Sequence, residues 1–191
     1  YDDVLQKYIY ATDTEILAML NTKYIISGAQ AHETYSFGPA WFVSMVEGVK
    51  SPAEELDKIG RVDLATTAVV SEDVEGFEEW YDASGAIELV EYAPNYLKYE
   101  YDAPESVLCV FSEIYYPEGW SAYIDGKEAD YFAADYILRG MELPAGKHTV
   151  EWSFRAPQWG LISTIMAICS IVVVLFVLRA LMMIIKSKNG K

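Results

Sequence analysis

Hydrophobic positions in this chain follow a helical period, a period of two and, near its end, an unbroken apolar run, and each pattern predicts a different kind of element. The helical period comes first. In TDTEILAML (12–20), Ile16, Leu17 and Leu20 share one helical face, and Thr12 with Glu15 matches a capping box. TKYIISG (22–28) reads as a short strand closed by glycine, and 29–38 as a polar loop. AWFVSMVEGV (40–49) sets Trp41, Val43 and Met45 against Phe42, Ser44 and Val46, the period-2 pattern of a strand. Ser51-Pro52-Ala53-Glu54 places a capping serine, a first-turn proline and a glutamate at helix-start spacing, with Gly60 as the stop. That spacing predicts a helix over 52–59. ATTAVV (65–70) is a β-branched strand pattern, and the acidic stretch 71–85 reads as a surface excursion, the alternative being a helical turn around Phe77 to Tyr81.

From residue 86 the period becomes 2 and stays there. IELVEYA (87–93) and YLKYEYDA (96–103) alternate on either side of Pro94-Asn95, with Leu97, Tyr99 and Tyr101 on one face. VLCVFSEIYY (107–116) is more continuously apolar than its neighbours, which predicts a central strand. Asp125-Gly126, between two strand patterns, is the signature of a type I′ hairpin. Further strands are expected over 136–142 and 148–155, separated by a turn at Pro144–Lys147. The fold class predicted is mainly β (α+β): a β-sandwich or jelly-roll-like domain with two short helices. Within it, 12–60 forms a helix-containing lead-in and 86–155 the antiparallel sheet core.

The third regime has no polar phase at all. Leu161 to Ile185 carries one ionisable residue, Arg179, and three hydroxyl side chains. At about 1.5 Å per residue, roughly 20 apolar residues cross a hydrocarbon core of about 30 Å. A transmembrane helix over 159–185 is therefore expected, leaving 1–158 as a domain on one side of the bilayer. Lys186, Lys188 and Lys191 follow the span, and short basic flanks stay cytoplasmic. The expected arrangement is a cytoplasmic tail (186–191), an extracytoplasmic domain and a cell-membrane location. An outward domain needs an export route, so the chain is expected to be a piece of a longer protein.

Composition narrows the chemistry. All 29 acidic residues precede residue 158, together with ten of the 14 basic ones. That charge disfavours nucleic acid as a partner. Two cysteines, one of them in the span, and two isolated histidines, His32 and His148, leave no zinc motif to assemble. No phosphate-binding loop, dinucleotide fingerprint or nucleophile elbow occurs, so no catalytic residue, metal or cofactor is expected. The acidic run Glu72, Asp73, Glu75, Glu78 and Glu79 lacks the spacing of a calcium loop and reads as a solvated face.

One constellation stands out among 15 tyrosines. Tyr115, Tyr116 and Trp120 gather at a strand end, followed by Tyr123 and Asp125. Rings beside carboxylates can hold a carbohydrate, the ring stacking on the sugar while the acid takes its hydroxyls. Packing within a tyrosine-rich sheet is the plainer reading of the same residues. Arg139, just before Gly140, is expected to pair structurally with a carboxylate.

The stretch SEIYYPEGWSAYIDGKEADYFAADYILRGMELPAGKHTVEWSF (112–154) resembles the C-terminal signature of YfhO-like bacterial membrane proteins, and LNTKYII (20–26) and AWFV (40–43) resemble their upstream segments. Glu118 is an insertion in the YYPGW-like element, and 132–136 lies where members vary. The resemblance implies a large polytopic protein, similar to GT-C-type glycosyltransferases that move a sugar from a polyprenyl-phosphate carrier to a cell-envelope acceptor. It implies as partners membrane lipid, the remaining transmembrane region of the parent, and an envelope glycan or lipid-linked sugar. The catalytic acid of such proteins lies in an early loop, and no position here matches it. The implied role is that of a noncatalytic outer domain plus final anchor, the alternative being a purely structural or assembly module.

Overall fold

The computed structural model describes residues 1–189, with side chains as far as Met183. It forms two units, Tyr1–Phe154 and a second from Arg155 onward. The first opens with helix the sequence pattern did not reveal: α1 (Asp2–Val4) runs into a π-helical stretch, Leu5–Ile9. Val4 and Tyr8, four apart, are both buried, and Tyr8 Oη donates to Leu56 O at 2.6 Å. Helix α2 (Thr14–Met19) begins one residue later than expected. Its cap is Asp13, whose Oδ1 accepts from Glu15 N and Ile16 N, each at 3.1 Å. Thr12 lies outside the helix at φ +57°. The Glu15 carboxylate leaves the cap and accepts Leu64 N at 2.7 Å.

Strand β1 (Tyr24–Ser27) pairs with β2 (Gln30–Glu33), so part of the expected loop 29–38 is a hairpin arm. Every β2 residue is exposed, so no buried face imprinted a period on it. The expected strand 40–49 is two strands, β3 (Ala40–Val43) and β4 (Met45–Val49). Helix α3 (Pro52–Lys58) stands as the capping pattern predicts, with Ser51 Oγ accepting Glu54 N at 3.3 Å. A Cβ on Gly60 would meet the Tyr8 ring, so the close approach of that ring requires glycine there. Strand β5 (Thr67–Ser71) follows.

The remaining strands are β6 (Ala86–Ala93), β7 (Tyr96–Ala103), β8 (Val107–Phe111), β9 (Trp120–Ile124), β10 (Lys127–Ala129), β11 (Phe132–Ala134), β12 (Leu138–Leu143) and β13 (Gly146–Phe154). β8 stops at Phe111, short of the expected 116, because 112–119 forms a loop. Five strands make one sheet in the order β10-β9-β13-β7-β6, and six make another, β3-β8-β12-β11-β5-β4. Only Ser44 separates β3 from β4, yet they occupy opposite edges of the second sheet. That sheet must therefore curl until its edges approach, and Ser44 N and Met45 N both donate to Thr66 O at the corner.

Two cores result. One lies between the sheets and joins Leu97, Tyr99, Trp152 and Ala122 to Cys109, Phe111 and Met141. The other lies on the opposite face of the six-stranded sheet, where Leu108, Val110 and Leu138 meet Ile16, Met19 and Ile59 from the helices. β8 feeds both cores with alternate residues, the physical reason its five positions are all apolar and buried. Phe111 packs edge-on against Tyr99 (5.0 Å) and Trp152 (5.2 Å), each contact worth about 0.5–1.5 kcal/mol beyond its buried area.

The second unit is dominated by helix α4, Trp159–Asn189. Its apolar portion, Trp159–Met183, spans 25 residues, which at 1.5 Å each reaches about 37 Å and exceeds a bilayer core. The helix passes the boundary expected at 185. The proposed basic tail ends at Lys191, outside the described residues, as is the surrounding of Lys186 and Lys188.

Candidate functional site

The loop that follows β8 is held from beneath by Arg139. This residue lies opposite Phe111 in the β12–β8 ladder, and its Nε donates to Ile114 O at 3.1 Å. Tyr115 N donates to Ile137 O at 2.7 Å, fastening the same loop to the β11–β12 turn. The Arg139 side chain is 2 % exposed. Its guanidinium sits over the ring of Trp120 at 4.3 Å and over Trp152 at 4.8 Å. Desolvated contacts of this kind contribute about 2 kcal/mol each. The expected carboxylate partner is not there: among the described residues no acid lies within 4.0 Å of Arg139. Two indole faces replace it. Burial pulls the guanidinium pKa down, and the charge of Glu113 pulls it back up. Nη1 of Arg139, Nε1 of Trp152 and the Tyr99 hydroxyl are all buried without a partner among the described residues.

The five residues singled out from the sequence occupy several distinct places. Trp120 is half-buried, with the Arg139 guanidinium over its ring and the Phe154 ring 5.3 Å away. Tyr115 packs edge-on against Tyr131 (5.7 Å), whose hydroxyl donates to Trp120 O at 3.2 Å. Trp120 and Tyr115 thus belong to one aromatic group around Arg139. Tyr116 stands apart on the loop, 49 % exposed, its hydroxyl donating to Glu118 Oε2 at 3.4 Å. Tyr123, three positions along β9 from Trp120, points from the opposite face of the strand. It aligns there with Glu151 of β13, which pairs with Lys98 at 3.8 Å.

Asp125 lies at the far end of β9. With Gly126 it forms the expected left-handed pair, φ +50° and +76°. Its Oδ1 accepts Thr149 N at 2.9 Å, and its Oδ2 accepts His148 Nδ1 at 2.5 Å. His148 Nε2 donates to Ala145 O at 3.1 Å. Two donating ring nitrogens require the imidazolium. The Asp125 hydrogen bond accordingly raises the His148 pKa, and the Thr149 amide with His148 lowers that of Asp125. An open groove of about 430 Å³ runs beside this pair, bordered by Glu88, Glu100 and Lys147. The sequence pattern located the hairpin but gave no sign of His148, because 23 residues and a neighbouring strand separate the two partners.

Compared with known proteins, residues 55–166 match the family model of the bacterial membrane protein YfhO. No curated protein and no solved structure matches the chain.

Proposed function

From the premise that this chain belongs to the YfhO family of bacterial membrane proteins, we propose that it acts as a noncatalytic extracytoplasmic domain and anchor assisting sugar transfer at the membrane surface. The transfer would run from a lipid-linked donor to an envelope acceptor, with the chemistry supplied elsewhere in a larger polytopic parent.

The observation that carries this reading is the continuity of the match. It begins in α3, runs through both sheets and enters the apolar helix. The match takes in most of the β domain and the first turns of a helix long enough to cross a bilayer, which supports a module that works beside lipid. The exposed Tyr116 ring, on a loop fixed from below by Arg139, supplies a platform for a sugar face.

The alternative, a purely structural or assembly module, draws on a specific observation too. The Trp120 ring and both Asp125 oxygens are already engaged within the protein. The two readings separate in cells carrying the full-length gene with Tyr116→Ala. If the loop holds an acceptor, envelope sugar content drops severalfold while protein level and melting temperature stay unchanged. Unchanged sugar content with normal protein level overturns the assisting role and leaves the structural one.

A further inference from the structure

A second feature shares Ile114 and Tyr115 with the aromatic loop but does not rest on its sugar reading. Between α3 and the β11–β12 turn lies a cleft of about 390 Å³, a volume in the range of small-ligand sites. Three tyrosines line it, Tyr1, Tyr115 and Tyr136, with Ile114, Ile137 and Glu55. Glu55 is 8 % exposed. Its Oε1 accepts Tyr136 N at 2.9 Å, and Oε2 has no partner among the described residues. The contact falls at a tight bend of the backbone. Asp135 and Tyr136 are consecutive left-handed residues, φ +51° and +70°, a costly state for a tyrosine.

Behind the turn lies Asp135, fully buried. It accepts Val69 N at 2.8 Å through Oδ1 and leaves Oδ2 unpartnered. Burial, with the charge of Glu55, lifts its pKa to about 8, so it is protonated at neutral pH. Burial raises the pKa of Glu55 as well and the Tyr136 amide pulls it back, so a cation beside it would favour its ionised form. Among the described residues no basic group lies within 4.0 Å of Glu55: Lys7 and Arg61 pair with Asp57, and Lys58 with Glu47. A largely buried carboxylate with no ion-pair partner among the described residues, beside tyrosine and aliphatic side chains, has the chemistry of an aromatic cage for ammonium groups.

We propose that this cleft binds a small alkylammonium group, with Glu55 as the counter-charge and Tyr115 and Tyr136 as its aromatic walls. A neutral ligand of the same shape would leave the carboxylate uncompensated, so charge decides the affinity.

The test uses the full chain in micelles of an oligo(ethylene glycol) detergent, which carries neither ammonium nor sugar. Methyl NMR signals of Ile114 and Ile137 are followed while choline is added, then its uncharged isostere 3,3-dimethyl-1-butanol, then methyl glucoside. The expected result is saturable movement with choline at millimolar concentration, and binding at least about tenfold weaker for the isostere. Glu55→Gln keeps a carbonyl for Tyr136 N and is expected to weaken choline by a similar factor. Should that variant not fold, Tyr115→Ala removes one wall and is expected to weaken choline instead. Equal binding of the isostere, preference for the glucoside, or no saturable movement in the folded protein overturns the proposal.

Discussion

Arg139 and Asp135 are both buried ionisable groups, and the protein handles them in opposite ways. Arg139 keeps its charge and places it against two indole faces and a carbonyl oxygen. Replacing it with alanine forfeits those contacts and leaves a void, partly offset by removing an unpaired buried charge. The expected net loss is about 2 kcal/mol in urea unfolding followed by tryptophan fluorescence. Arg139→Met fills the volume without charge and should cost less, while amide exchange at Tyr115 quickens because its loop loses the Nε tether. Asp135 instead gives its charge up. Its folded pKa of about 8 lies above the ordinary value of 3.8, so between those values the native state holds a proton the unfolded chain has released. Stability from this group is full below about pH 4 and is lost as pH rises toward 8. Asp135→Asn removes the titration and is expected to flatten the decline, gaining on the parent at pH 8 relative to pH 5 in denaturation curves. A decline as steep as that of the parent would show that other groups cause it. Sequence gave no hint of either solution, since both depend on what packs against the side chain.

At the scale of elements, local rules succeeded where the deciding partners were near in sequence. The Ser51 cap, the first-turn Pro52 and the Asp125-Gly126 turn are short-range devices, and each stands where it was expected. α2 shows the limit. Both Thr12 and Asp13 can cap; Asp13 does so, while Glu15, the partner a capping box on Thr12 would need, accepts Leu64 N, 49 residues distant. Asp13→Ala is expected to cost about 1 kcal/mol. Thr12→Ala should cost much less, and the reverse ranking in thermal unfolding would restore the capping-box assignment. The split of 40–49 into β3 and β4 was equally hidden. The alternation passes unbroken through Ser44, while the corner there comes from curling of a sheet whose other strands lie far along the chain.

For the whole molecule, the helix from Trp159 to Met183 and the family match agree on membrane association. The direction of insertion is a proposal with a direct test. Cys109 cannot report it, being fully buried in the inter-sheet core, where burial also holds its thiol well above its usual pKa. A cysteine placed at Lys127, on the exposed β10 hairpin, can. In intact cells Lys127→Cys is expected to react with a membrane-impermeant maleimide. Reaction only after the cells are opened would reverse the topology.

The sequence by itself determined the β-rich class, the membrane-length helix, the capped α3 and the tight hairpin. Each follows from a period or a turn whose cause lies within a few residues. The tertiary structure alone decided that Tyr115 and Trp120 gather around a buried arginine while Tyr116, Tyr123 and Asp125 stand elsewhere. It alone brought Glu55 to the Asp135–Tyr136 turn. Those groupings arise from strand order, sheet curvature and the face each residue takes, and a linear pattern of polar and apolar positions encodes none of the three.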